Sequence, residues 1–232
     1  GWGSSYNYGI YLAYINASAT NRAKVRNNMI SLNTTSTTGT LYGVYPFHVA
    51  NVDIHHNSIA ANGGSLTNSR LFYMNASTSS SYFTPGGLSL KNNIVANLNG
   101  GMVMVVQSAT AAGAPAYFTS DNNLFFSTNT ASFNYGGTTM NDSVWNATTN
   151  QDANSVSGDP MFVNPLTDLH TMGQDADNAG TPVGLATDID GDTRSTTTPD
   201  IGADEYTFTP ICFEPSGIST YNISSSFFYF DF

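Results

Sequence analysis

Charge is what this sequence has least of. Only 9% of its 232 residues are Asp, Glu, Lys or Arg, against about 25% in an ordinary globular domain. Six cations stand against sixteen acids, a formal net charge of −10. Six scattered Lys and Arg residues cannot build the basic stripe that nucleic-acid recognition needs. The single cysteine, Cys212, has no partner for an internal disulfide and does not decide the compartment. No apolar run approaches the roughly 20 residues of a membrane-spanning helix. Glu, Lys and Arg are scarce while Asn, Thr, Ser and Gly abound, which disfavours a long helical bundle. In place of charge there are 26 Asn, 26 Ser and 28 Thr, with 14 Phe and 13 Tyr among a hydrophobic share of 40%. That much apolar surface argues against disorder. A β-rich, weakly charged, acidic chain suits a secreted or cell-surface environment.

The little charge there is divides along the chain. Residues 1–141 carry five cations and two acids, whereas residues 142–232 carry fourteen acids and one cation, Arg194. Two structural regimes are expected. The opening Gly1-Trp2-Gly3 has no basic leader, so the chain is expected to start after processing or within a longer protein.

The first regime repeats. Four segments align: Val25-Arg26-Asn27-Asn28-Met29-Ile30, Ile54-His55-His56-Asn57-Ser58-Ile59, Leu90-Lys91-Asn92-Asn93-Ile94-Val95 and Ser120-Asp121-Asn122-Asn123-Leu124-Phe125. The register residues Asn28, Asn57, Asn93 and Asn123 are spaced by 29, 36 and 30 residues. Upstream of each lies a short apolar strand: Gly9-Ile10-Tyr11, Gly43-Val44-Tyr45, Leu71-Phe72-Tyr73 and Gly101-Met102-Val103. Each unit reads as strand, polar loop, strand, Asn turn, strand. One such unit cannot bury its own apolar face. Stacking units about 4.8 Å apart buries a continuous core and pairs the backbone between coils. An Asn at the same corner of each coil can stack into an amide ladder, and Asn tolerates the left-handed backbone of a sharp corner. An all-β parallel solenoid is therefore expected over residues 1–155.

These units resemble the right-handed parallel β-helix proteins, a family that spans pectate lyases, polygalacturonases and many bacterial surface proteins. The second regime resembles the C-terminal end of bacterial surface β-helix proteins labelled choice-of-anchor Q. Asp159-Pro160-Met161-Phe162, Asp188-Ile189-Asp190-Gly191-Asp192-Thr193-Arg194 and Asp200-Ile201-Gly202-Ala203-Asp204-Glu205 match that pattern in order. The resemblance implies that residues 156–206 cap the solenoid end. It also implies export across a bacterial outer membrane, of the type IX kind, with sorting sequence beyond residue 232. Residues 207–232 read as a linker and the truncated start of a fibronectin type III-like domain, or as an extra strand.

Candidate chemistry is sparse. Asp188, Asp190 and Asp192 alternate with a Gly as a calcium loop would, but Gly191 and Pro199 stand where an EF-hand is not satisfied. Calcium binding, and a turn in which Arg194 pairs with Asp200 or Glu205, both stay open. His55 and Asp53 would share a strand face, and His55-His56 could serve as a base or ligand or simply form a solvated corner. Asp53 and Asp121, the two acids of the repeat region, form no local carboxylate pair of the kind that hydrolysis needs. Arg22, Lys24 and Arg26 form only a small patch. Six sequons (Asn16, Asn33, Asn75, Asn141, Asn146, Asn222) and a Thr-rich loop at 33–40 are compositional features. The expected function is a non-catalytic adhesin or stalk segment whose exposed Tyr, Asn and Thr touch glycans or neighbouring cells. The alternative is a polysaccharide lyase or glycoside hydrolase on the same scaffold, because fold does not select function.

Overall fold

The computed structural model describes residues 6–74, 87–107 and 117–210. The expected linker therefore enters it only as residues 207–210, and the fibronectin-like segment lies outside the described residues. The chain winds through about four coils of three strands each. The first coil is β1 (Tyr6–Ala13), β2 (Ala23–Arg26) and β3 (Met29–Asn33). The second is β4 (Thr40–Phe47), β5 (Val52–His55) and β6 (Ser58–Asn62). The third is β7 (Arg70–Met74), β8 (Leu88–Lys91) and β9 (Ile94–Asn97), and the fourth β10 (Met102–Val106), β11 (Phe118–Asp121) and β12 (Leu124–Ser127). Equivalent strands pair in parallel, giving a first sheet β1-β4-β7-β10, a second sheet β2-β5-β8-β11 and a third sheet β3-β6-β9-β12. This is the parallel β-solenoid that the repeats imply. Inward-facing Ile54, Ile59, Leu90, Val95, Phe72 and Met104 are fully buried in one continuous core.

The corner between the second and third sheets takes two residues per coil. The first of each pair is left-handed: Asn27, His56, Asn92 and Asn122, with φ of 53°, 52°, 56° and 53°. The second is the register Asn. The left-handed position thus lies one residue before the ladder, and three of its four occupants are Asn, which pays less for this conformation than most side chains. The amides of Asn28, Asn57, Asn93 and Asn123 are hydrogen-bonded in series. Asn28 Nδ2 donates to Asn57 Oδ1 at 2.8 Å, Asn57 to Asn93 at 2.9 Å and Asn93 to Asn123 at 3.0 Å. Each receiving oxygen also accepts the backbone N–H of the preceding rung's Asn.

The fourth coil is closed by residues before 156. β13 (Phe133–Tyr135) joins the first sheet and turns back through Gly136-Gly137 into antiparallel β14 (Thr138–Met140). Helix α1 (Asp142–Thr149) follows, N-capped by the Asn141 side chain on Val144 N and C-capped by left-handed Asn150. Its Trp145 is buried against Phe118 and Phe133. Trp145 Nε1 donates to Asp152 Oδ2 at 2.8 Å. Asp152 Oδ1 accepts from Ser120, Ser155 and the ladder residue Asn123. Burial pushes the Asp152 carboxyl up, against the pull of those donors.

The segment from 158 onward lies elsewhere than at the end. β15 (Val156–Ser157) extends the third sheet. The chain then runs back along the flank through the hairpin of β16 (Phe162–Asn164) and β17 (Asp168–Thr171). Phe162, Leu169, Ala176 and Ile201 pack on Ala60, Ile94, Ala96 and Leu124, the outward residues of the third sheet. A sheet covered on both sides needs apolar residues at every position, and β9 is buried throughout. The expected end cap is accordingly a strap lying lengthwise over all four coils, and the terminal coil is closed by α1.

Candidate functional site

The strap leaves two sheet faces to consider. On the first sheet, Tyr8 pairs in register with Tyr42 and Tyr11 with Tyr45. Tyr8 and Tyr11 are three residues apart, a spacing that would place them on opposite faces of a regular strand. The strand breaks its alternation at Gly9, and β4 does so at Gly43, so both tyrosines of each strand face outward while Ile10 and Val44 enter the core. Only Gly fits there: a Cβ on Gly9 would lie 2.6 Å from the Gly43 carbonyl oxygen, and one on Gly43 2.6 Å from that of Leu71.

The result is an aromatic face spanning three rungs. Tyr8 and Tyr42 stack with centroids 5.0 Å apart and planes at 10°. Tyr45 lies 5.1 Å from Tyr11 and 4.7 Å from Tyr73. The Arg70 guanidinium sits 4.7 Å over the Tyr73 ring, a cation–π contact. Tyr6, Tyr8, Tyr11 and Tyr14 are exposed, while Tyr42 and Tyr73 are buried by their neighbours. Burial pushes the Tyr73 phenol up to about 12, against the pull of Arg70, and its hydroxyl donates to Gln107. Beyond Tyr73 the face opens into a cleft of about 410 Å³ lined by Thr67, Arg70, Gln107, Asn134 and Thr139. The rings offer apolar edges and uncharged hydroxyls, and the cleft offers amides, hydroxyls and one cation.

The other singled-out residues are distributed as follows. Arg194 is only 2% exposed. It pairs with Glu205 at 3.0 Å and donates to the carbonyls of Gly202, Ala203 and Asp204. Asp200 does not pair with it but accepts from the backbone of Asn178 and Tyr206, and burial pushes its carboxyl up to about 6. The three Asp of the expected calcium loop diverge. Asp188 Oδ1 accepts the N–H groups of Asp190, Gly191 and Asp192, and Oδ2 accepts that of Glu205. Asp190 instead reaches His170 Nε2 at 2.7 Å, while Asp168 holds His170 Nδ1 at 2.5 Å. His170, Asp190 and Asp204 bring one ligand atom each within 4.8 Å of one another. Asp190 and Asp168 raise the imidazole to about 9.

Asp53 is held by Arg22 at 2.5 Å, and Asp121 accepts from the Asn154 backbone and side chain. His56 is neither solvated nor paired with His55. It is fully buried under the strap, with Nδ1 3.3 Å from the Gly202 carbonyl and Nε2 2.8 Å from Asn92 Nδ2. The left-handed corner residues are in fact the strap's docking row. Asn27 donates to Thr187 O, Asn92 to Thr181 O and Asn122 to Ala179 O. The aromatic ladder had one linear signal, the 34-residue interval from Tyr8 to Tyr42 and from Tyr11 to Tyr45. The His170 and Asp152 clusters had none. No family model matches the sequence, and no curated protein matches it.

Proposed function

We propose that the chain is a non-catalytic segment of a large secreted or cell-surface bacterial protein, of the choice-of-anchor Q kind, acting as an adhesin or stalk that contacts glycans through the aromatic face of its first sheet. The observation that carries this reading is the tyrosine ladder. Amphipathic rings pack against the C–H faces of sugars while their hydroxyls hydrogen-bond at the edge. The four ring positions most exposed are all on β1 or just after it, and the cleft continues the same face with neutral polar groups. The cell-surface setting rests on the Asp159–Phe162, Asp188–Arg194 and Asp200–Glu205 motifs. Asp53 and Asp121, the two acids of the repeat region, are engaged by Arg22 and Asn154.

Calorimetric titration with neutral oligosaccharides, run beside a depolymerisation assay, tests the reading. Binding should weaken several-fold for each of Tyr8→Ala and Tyr11→Ala, as the loss of about 1 kcal/mol of ring contact requires. Turnover that disappears in Asp53→Asn or His55→Gln would overturn it in favour of an enzyme.

A further inference from the structure

The strap carries one imidazole surrounded by acids. In β17, Leu169 and Thr171 are buried, so Asp168 and His170, two residues apart, share the outward side. Asp168 takes the ring's Nδ1 at 2.5 Å, which leaves Nε2 to Asp190 at 2.7 Å. Asp190 is presented by a turn whose N–H groups are collected by Asp188. The third acid, Asp204, comes from a later stretch, where Gly202 and Ala203 dock on the coils through His56 and Ser58. Asp204 is only 8% exposed, and among the described residues it forms no ion pair. Burial pushes its carboxyl up; Asp188 and Asp190 add to that shift, and His170 and the Thr171 N–H oppose it. A buried carboxylate is ordinarily paired with a cation or bound to a metal.

We propose that His170, Asp190 and Asp204 bind a zinc ion that staples the strap. Their ligand atoms already lie within 4.8 Å of one another. Around a tetrahedral zinc, with bonds of about 2.1 Å, donor atoms stand roughly 3.4 Å apart, so the widest pair must close a little and Asp190 must back away from the ring. Asp190 is solvent-exposed and free to make that adjustment. Both ring nitrogens face carboxylate oxygens, which only accept, so both carry protons. Zinc replaces the Nε2 proton, which leaves to solvent, and adds one positive charge where three carboxylates outweigh one imidazolium. Asp168 stays off the ion. It holds Nδ1–H and fixes the ring, as a carboxylate behind a zinc-bound His does. Calcium fits poorly, because it takes oxygen ligands and Asp188, the nearby carboxylate that could supply them, is committed to four backbone N–H groups. The ion would join the hairpin, the 188–192 turn and the stretch docked on Ser58, three parts of the strap at once. The site shares no residue with the aromatic face.

The test is calorimetric titration of the whole, untagged, EDTA-treated chain with zinc and, separately, with calcium. One zinc should bind per chain, roughly a hundred-fold more tightly than calcium, and zinc should raise the thermal unfolding midpoint. His170→Gln, Asp190→Asn and Asp204→Asn should each weaken zinc about ten-fold or more. The first two, on the solvent side of the strap, serve as the readout if the buried Asp204→Asn does not fold. Asp168→Asn should weaken zinc about ten-fold yet leave the visible absorption of bound cobalt unchanged, whereas His170→Gln should alter that absorption. His55→Gln should leave zinc binding as it is. Absence of saturable zinc binding, calcium binding as tight as zinc, or zinc binding indifferent to His170→Gln would each overturn the proposal.

Discussion

Arg194 donates through Nη2 to the side-chain oxygen of Asn27 at 3.2 Å, across 167 residues of sequence. The contact ties the far end of the strap to the first coil. Its guanidinium also faces Glu205 and three backbone carbonyls in a fully buried setting. Removing one member of a buried charge network strands the others.

Arg194→Ala should therefore cost about 3–5 kcal/mol in urea unfolding. Arg194→Lys should recover little, since an ammonium cannot reproduce the planar fork of donors. Because the strap covers the third sheet, limited proteolysis should then cut within residues 180–206 before the coils. A variant as stable and protease-resistant as the parent would show that the strap is held by its apolar contacts alone.

The ladder predicts a gradient. Asn93 Oδ1 accepts both the backbone and the side-chain N–H of Asn57, and its own Nδ2 donates to Ile54 O and Asn123 Oδ1. Asn93→Ala orphans several buried groups at once, so about 3 kcal/mol is expected. Asn28 sits at the ladder's first rung and is half-buried, so Asn28→Ala should cost about 1 kcal/mol. Denaturant midpoints measured on the two variants read the difference directly.

At the preceding position, His56 has φ of 52°. His56→Gly and His56→Ala lose the same hydrogen bonds to Asn92 and Gly202, but only Ala also pays for the left-handed backbone. The glycine variant should be the more stable by about 1 kcal/mol. Equal midpoints would mean that the corner relaxes when the ring is removed.

The sequence made the solenoid legible because a stacked coil repeats its requirements: an inward apolar residue and an amide at the corner. The register Asn could be picked out at intervals of 29, 36 and 30 residues for that reason. The strap was not legible in the same way. Its partners, such as Thr181 with Asn92 and Gly202 with His56, are separated by 89 and 146 residues and recur with no period. The acidic composition of 142–232 marked a change of regime without showing that half of its length turns back along the flank. Likewise His170, Asp190 and Asp204 are unremarkable in linear order and meet only when the strap folds.

Three histidines set opposite limbs of a stability–pH curve. His56 is pushed down to about 3, first by burial and then by Arg194, and His55 to about 4. An unfolded His has a pKa near about 6.5, so the unfolded chain binds protons that the folded chain refuses. Stability should fall as pH drops below about 6.5, by up to about 1.4 kcal/mol per pH unit for each such group. His170 acts in the other direction. Asp190 and Asp168 raise it to about 9, so its contribution is complete below about 6.5 and is lost as pH rises through 9. That limb should be the shallower, because His170 and its partners are partly solvent-exposed and surface pairs are weakened by water. The buried carboxyl of Asp200, raised to about 6, works against the acid limb between about 4 and 6, so each limb is read by comparing variant with parent in thermal unfolding from pH 4 to 10. His56→Asn should flatten the acid limb alone and His170→Gln the alkaline limb alone. A profile in which either variant shifts both limbs, or neither, would contradict these assignments.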